Sequence, residues 1–431
     1  MKIKKIRCEN FRRFTDFSID FDEHLTVLVA RNGSGKSSIL DALAISLGAF
    51  LTRIPGVAGI SQKETDFKVL ETGSKPPYSR VTCETNDGVS WDRTERRDKT
   101  IKTSKQIPPA LGIKEINDYA DALVDGFNEG SGVVLPVLAY YGTGRGVFAL
   151  PERKRGFKKE FTRFDSYSES LESKTNFKRF IEYFYSLENL ELSRQRELKS
   201  FDYKSPELSC IRSAIQQFMP EFSNPRMAYP AGIMLDWART DGVYPLRIEQ
   251  LSDGYRIALV MVMDIAARMA EANPDLNDPL VSPGIVMIDE VELHLHPGWQ
   301  QTILPDLRRV FQNVQFIVSS HSPHVISTVR PDQLRVIDWE GSDACLVPVA
   351  FSEGADNSYV LDKILGVNTR PDRLEIVQKL KQYQQLVESG NWKAKDALVL
   401  KEELDAWGKG FDPEIERLEM DVAIQELDSK N

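Results

Sequence analysis

Lys36 and Ser37 end the string Ala30-Arg-Asn-Gly-Ser-Gly-Lys36-Ser37, and a lysine and a hydroxyl after a glycine turn suit a triphosphate. Such a turn aims the backbone of Asn32, Gly33, Ser34 and Gly35 at an anion. The helix that follows adds its N-terminus at Ser37 and Ser38. Only Ala30 departs from the usual G-x-x-x-x-G-K-[ST], putting a Cβ where glycine is the rule. A second set is Asp289-Glu290, directly after four apolar residues. A buried strand ending there can offer Asp289, with Ser37, to magnesium, and Glu290 as general base for an attacking water. In Leu251-Ser-Asp-Gly-Tyr255, Ser252 and Gly254 open an apolar helix, and a hydroxyl beside orphan N–H groups suits a γ-phosphate. The plain alternative is that Ser252 only caps its own helix. His321 follows Phe316–Ser320, a place from which an imidazole can contact the γ-phosphate or the water. Four of the five histidines lie in 294–324, so zinc held by His294, His296, His321 and His324 is a further option, but neither His-x-His nor His-x-x-His is a standard zinc spacing.

These groups need a scaffold, and hydrophobic periodicity supplies one. The apolar run Leu25–Val29 is a strand into the phosphate turn, and Ile39–Leu47 is the helix leaving it. Residues 2–8 and 16–21 are expected as strands around a turn at 9–13, and 60–105 as a small β subdomain. Val133–Ala139 is a buried-strand candidate ending in Tyr140-Tyr-Gly-Thr-Gly-Arg145. From 166 to 222 the pattern is helical, with Phe177, Phe180, Ile181, Phe184 and Leu187 on one face, and 226–248 returns to strands. A helix over Ile257–Met269, a strand over 284–288, a helix over 299–311 and a strand over 315–319 follow. The tail from 371 is helical, with Asp372 as one cap and Asp412-Pro413 as the start of another helix. Four segments result: 1–150 with the phosphate turn, a helical insertion at 151–225, the carboxylate and histidine part at 226–350, and an acidic helical region at 351–431.

The composition, 41% hydrophobic and 28% charged over 431 residues, is that of an ordinary globular chain. Cys8, Cys83, Cys210 and Cys345 lie too far apart for a disulfide framework, which favours a reducing cytoplasm. No apolar run approaches the roughly 18 residues that span a bilayer, so no membrane partner is expected. The net charge of −9 gives no general argument for nucleic acid. Basic density is local, at 93–105 and 153–163, where solvated loops and a phosphate-contacting surface are both open readings. Residues 401–431 carry ten acidic and four basic side chains, which makes them a candidate dock for a basic partner.

The motifs, in this order, resemble the SMC/RecF/OLD-like branch of ABC-type P-loop ATPases. The resemblance rests on Ile3–Arg12, Asn32–Lys36 and Asp289-Glu-Val-Glu-Leu-His-Leu-His-Pro297. Within the branch, Tyr140–Arg145, Leu251–Arg256 and Leu293–Gln300 look most like the PtuA family of Septu antiphage systems and its retron-associated versions. The resemblance implies an α/β ATPase head with a helical insertion and a C-terminal helical region. It also implies ATP and Mg2+ as cofactors, and an ATP-bridged homodimer in which Ser252 and Gly254 act on the other copy's phosphate turn. An HNH nuclease (PtuB-like) would be the controlled partner, with DNA or a retron nucleoprotein a further partner through the basic loops. Asp253 stands where the cassette signature has glycine. The glutamine that usually helps hold magnesium has no clear counterpart; Gln62 is a weak candidate, and none is assigned. After His321 no Asp-x-Asp of a Toprim nuclease follows, so the isolated chain is not expected to cut DNA. Two other readings stay open: a RecF-like repair ATPase binding DNA directly, and a non-catalytic nucleotide-sensing scaffold.

Overall fold

A computed structural model describes all residues except 31–34, 147–160, 175–176, 229–231 and 429–431. Asn32, Gly33, Ser34 and most of the basic loop 153–163 therefore lie outside the described residues. Strands β3 (Leu25–Ala30), β6 (Val137–Tyr141), β10 (Gly284–Ile288) and β11 (Val314–Ser319) are buried at every position. Unbroken apolar strands of this kind belong in a parallel sheet covered on both faces. They form one sheet with β12 (Leu334–Glu340) and β13 (Asp343–Val347), in the order β13-β12-β3-β11-β10-β6. Only the β12–β13 pair is antiparallel. In register, Ile288 of β10 sits beside both Tyr141 of β6 and Val318 of β11. Ser319 of β11 pairs with Leu28 of β3. The ends of the phosphate, carboxylate and histidine strands thus leave the sheet along one edge.

Ala30 is the last residue of β3, paired with Ile337 and outside the left-handed region. Its Cβ costs nothing there. The departure from the glycine consensus asks for no left-handed conformation at Ala30.

A second, antiparallel sheet has the order β2-β1-β4-β5, built from β1 (Ile3–Phe11), β2 (Phe14–Asp20), β4 (Tyr78–Thr85) and β5 (Ser90–Arg96). The turn expected at 9–13 contracts to Arg12-Arg13, because Glu9 pairs with Asp16 and the buried Phe11 with the buried Phe14. A third sheet, β7 (Phe222–Met227), β8 (Ile233–Arg239) and β9 (Gly242–Arg247), is an antiparallel meander. It follows two packed helices, Lys178–Leu198 and Pro206–Phe218, the first burying the expected Phe180, Ile181, Phe184 and Leu187.

The helix expected from Ile257 starts at Asp253 and runs to Ala272, buried along almost its whole length. Its interior charges are matched: Asp264 accepts from the Tyr141 hydroxyl at 2.7 Å and from Arg268 Nε at 3.0 Å. Arg268 also donates to the Ser166 carbonyl. The helix expected over 299–311 is broken into Pro297–Gln300 and Ile303–Val310. Pro305 explains the break, since it lacks an N–H and its ring crowds the carbonyl of residue 301.

The chain divides into two compact units, Met1–Val360 and Leu361–Asn431. The second packs helices Glu375–Glu388, Lys395–Gly408 and Pro413–Asp428 around Leu380, Tyr383, Val387, Leu404, Ile415 and Leu418. The middle helix is not evident from the sequence. Its inward Ala397 and Leu404 are masked by the exposed Leu398 and Val399. Asp412 caps the last helix, accepting from the Glu414 N–H at 2.9 Å. Asp372 does not cap the first, whose N-cap is Leu374 after a turn closed onto Pro371; its side chain binds Lys381 instead. Among the described residues no helix is long and apolar enough to cross a membrane.

Candidate functional site

The carboxylate strand ends under tight control. The Asp289 N–H donates to the Tyr141 carbonyl at 2.8 Å, carrying the β6 ladder one residue past the strand. The Asp289 side chain, 5% exposed, accepts from Ser37 Oγ at 2.7 Å and from Ser319 Oγ at 2.5 Å. Three elements that are distant in sequence thereby meet on one carboxylate. Glu290 follows with φ +49°, a left-handed conformation that glutamate adopts only where its surroundings enforce it. Its N–H donates to Ser319 Oγ at 2.8 Å.

Lys36 opens the helix Lys36–Leu51 and is nearly buried, its ammonium against Nε2 of His321. Burial lowers the pKa of both groups, and the Lys36 charge lowers that of His321 further. A neutral imidazole with Nε2 unprotonated accepts the ammonium hydrogen bond, whereas an imidazolium would repel it. The His321 backbone N–H donates to Glu292 Oε1 at 2.6 Å, which fixes the turn that carries the ring. Gly35 has φ +94°, and a Cβ there would lie 2.8 Å from Phe14 Cζ. Both facts demand glycine.

Ser252 and Gly254 stand at the head of another helix. Ser252 makes no capping bond through its side chain, contrary to the plain alternative. A Cβ on Gly254 would lie 2.5 Å from the His294 carbonyl, so the signature turn presses on the loop after the carboxylates. Asp253, where a cassette signature carries glycine, pairs with Arg256. The structure brings Lys36, Ser37, Asp289 and His321 together, and Glu290 adjoins them in the chain. Ser38 lies 3.5 Å from Arg12 NH1.

Other candidates fall elsewhere. Gln62 donates to the Arg93 carbonyl at 3.0 Å, beside β5. The strand end next to Asp289 carries Tyr141 and Gly142 instead. Three of the four clustered histidines have separate partners: His321 meets Lys36, His296 Nδ1 accepts from the Gly298 N–H, and His324 Nδ1 meets Gln301 and Asn357. Among the described residues no three metal-ligating side chains of the His, Cys, Asp or Glu type form a cation cage. In the basic stretch 93–105, Arg97 pairs with Asp98, while Arg96, Lys99, Lys102 and Lys105 are exposed. Arg163 pairs with Asp275.

Sequence reasoning missed two groups. Arg12 bridges Asp41 (2.6 Å) and Asp66 (2.9 Å), and the Tyr140 hydroxyl donates to Asp41 at 3.0 Å. Arg145, 2% exposed, donates to the carbonyls of both Asp289 and Glu290 at 2.5 Å. Burial pushes its guanidinium down to about 10, against the pull of Asp289, Glu292 and Glu290. Both arginines stand in motifs quoted from the sequence, but nothing in the neighbouring residues marks their partners.

Comparison with known proteins can now be set on this geometry. The profile described as an AAA domain matches residues 5–223, half of the chain. The chain belongs to the AAA-domain family. A second AAA-domain profile, whose description refers to the AbiEii toxin of a type IV toxin–antitoxin system, matches residues 160–327. The chain is 27% identical to the Retron Ec83 probable ATPase of Escherichia coli, over 93% of this chain and 82% of that one. It is 24% identical to the Retron Vc95 probable ATPase of Vibrio cholerae, over 90% and 84%. It is 25% identical to Septu protein PtuA of Bacillus mycoides, over 88% of this chain and 46% of the relative. The likeness to PtuA and retron ATPases expected from the motifs is the one these relatives show.

Proposed function

We propose that this protein binds and hydrolyses ATP as the regulatory subunit of an antiphage defence complex. The observation that carries the reading is the convergence of Ser37, Asp289 and Ser319 beside the Lys36–His321 pair. A hydroxyl and a carboxylate already in contact at a helix N-terminus are the hard oxygen donors that Mg2+ prefers, so Ser37 and Asp289 fit as its holders. When bound there, the ion would supply charge neutralisation for the phosphate oxygens.

The chain's own residues do the rest. Lys36 leaves His321 for the β- and γ-phosphates, with the Gly35 turn and helix N-terminus supporting it. His321, neutral, then orients toward the γ-phosphate. Glu290 accepts the proton of the attacking water. Ser252 and Gly254 face the γ-phosphate of a second copy. ATP thereby bridges two subunits, and its hydrolysis removes the bridge.

The partner reading rests on the resemblance to Septu PtuA and on the second unit. On the helix Pro413–Asp428, Met420, Ile424 and Leu427 are exposed at helical spacing, opposite the buried Ile415 and Leu418. Glu419, Asp421, Glu426 and Asp428 flank that stripe. An apolar stripe with acidic borders suits a basic partner helix, here assigned to an HNH nuclease. Glu290→Gln is expected to trap an ATP-bound dimer, read by light scattering with and without ATP; a mass unchanged by ATP would refute the bridge. Loss of nuclease co-purification on Ile424→Glu would locate the dock.

One observation favours a second reading, direct DNA contact: the exposed Arg96, Lys99, Lys102 and Lys105 along one short segment. Duplex binding by the partner-free protein, weakening steeply with salt and on charge reversal at these four, would establish it.

A further inference from the structure

We propose that Arg145 is a positioning residue for hydrolysis: its guanidinium fork grips the carbonyls of Asp289 and Glu290 and so fixes, through the backbone, where the two carboxylates point. The inference rests on the ATP-hydrolase reading and adds a residue outside the phosphate, carboxylate and histidine motifs.

Four observations carry it. Arg145 Nη1 donates to the Asp289 carbonyl at 2.5 Å and to the Gly142 carbonyl at 3.0 Å, while Nη2 donates to the Glu290 carbonyl at 2.5 Å. The two outer bonds thus span consecutive peptide units just where strand pairing stops. A planar fork suits that task, because its parallel N–H groups fix direction as well as distance. Glu290 holds φ +49° there, and something must enforce it. The Ser319 hydroxyl holds the Glu290 N–H from one side, and Arg145 holds its carbonyl from the other.

The third observation is that the arm bearing Arg145 cannot yield. The Gly142 Cα lies so close to residue 173 that a Cβ there would meet the Ser173 carbonyl at 2.1 Å. Tyr141, one residue before it, is anchored by its hydroxyl to buried Asp264. The fourth is the cost of the arrangement. A guanidinium 2% exposed is an expensive way to satisfy carbonyl groups that a water or an amide could serve. The charges of Asp289, Glu292 and Glu290 offset part of that cost.

Two conservative variants separate grip from charge. Arg145→Gln keeps amide N–H donors and loses the charge; Arg145→Lys keeps the charge and loses the fork. Steady-state ATP hydrolysis, binding of a fluorescent ATP analogue and thermal melting are measured for both, with Arg145→Met as the severe case. We expect kcat to fall about tenfold to a hundredfold in Lys and Met, and less in Gln, as misaimed reacting groups do. KM and analogue affinity should stay within about threefold, because phosphate binding depends on Lys36 and the Gly35 turn. Retained kcat in Lys together with loss in Gln would overturn the grip in favour of charge. A joint fall of kcat, affinity and melting temperature in both would reduce Arg145 to a structural part. Should Arg145→Met fail to fold, the Gln and Lys pair still decides. A wild-type protein that binds the analogue but hydrolyses nothing would sink the hydrolase reading itself, a result distinct from any of these.

Discussion

The edge of the parallel sheet and the C-terminal helical unit are held together by opposite means. At the sheet edge, Ser37, Ser319, Asp289 and Arg145 form a polar web in which both Asp289 carboxylate oxygens and its carbonyl accept hydrogen bonds. In Leu361–Asn431, a handful of apolar side chains holds three helices, and Leu398, Val399, Phe411, Met420, Ile424 and Leu427 face solvent. A web tolerates few residue types at each node and has one geometry. A small apolar cluster needs only size and shape, and it leaves its outer surface free to be specified by something else. On the reading proposed above, chemistry belongs to the first and recognition to the second.

That contrast can be broken by experiment. The largest effects belong to the web: Lys36→Ala and Asp289→Asn should each lower ATP turnover by about a hundredfold to a thousandfold, as loss of a preorganised charge does. Turnover within tenfold of wild type in either would mean the web is not catalytic. Next comes Leu418→Ala, fully buried in the helical unit, which should cost about 2–5 kcal/mol. Limited proteolysis should then clip residues 361–431 while ATP turnover holds; a parallel loss of turnover would show that the two regions are not separable. Smaller still, Asp412→Ala removes a cap and the partner of Arg370, for about 1 kcal/mol in thermal melting of the same unit.

The mildest prediction concerns pH. Burial first, and Lys36 second, hold the His321 imidazole below its ordinary value of 6.5. The unfolded chain therefore takes up that proton before the folded one. The contribution of the neutral ring to stability is complete above 6.5 and declines as pH falls through the depressed value. Turnover should be level from pH 8 to 6.5 and fall only on further acidification, and His321→Gln should remove that limb. An acidic limb centred above 6.5 would contradict the burial of a neutral ring.

Much of the web was legible because its nodes are chemically narrow. Lys36 and Ser37 must follow a glycine, and Asp289 must end an apolar strand, so spacing alone placed them. The structure joins Ser37 to Asp289 directly. Arg145 was visible only as the end of an unexplained Tyr-Tyr-Gly-Thr-Gly-Arg string, because its targets are carbonyl groups, which no residue type announces. The Arg12–Asp41–Tyr140 contacts span 29 and 99 residues and leave no periodic trace. In the helical unit, Asp372 and Asp412 offered similar capping chemistry. Pro413 made the difference, since its fixed φ commits the following residues to a helix. The break at Gln301-Thr302 was readable from Pro305 and went unread, because the apolar pattern runs across it.

Behind the phosphate turn stands Phe14, fully buried, its ring centroid 4.9 Å from that of Phe17 and 5.7 Å from that of Trp339, both stacked. Gly35 abuts this ring with no room for even a methyl group. The three stacked rings give Gly35 a rigid backstop at the start of the helix Lys36–Leu51. A nucleotide bound as proposed would then be met by a side chain rather than by Gly35, with Lys36 leaving His321.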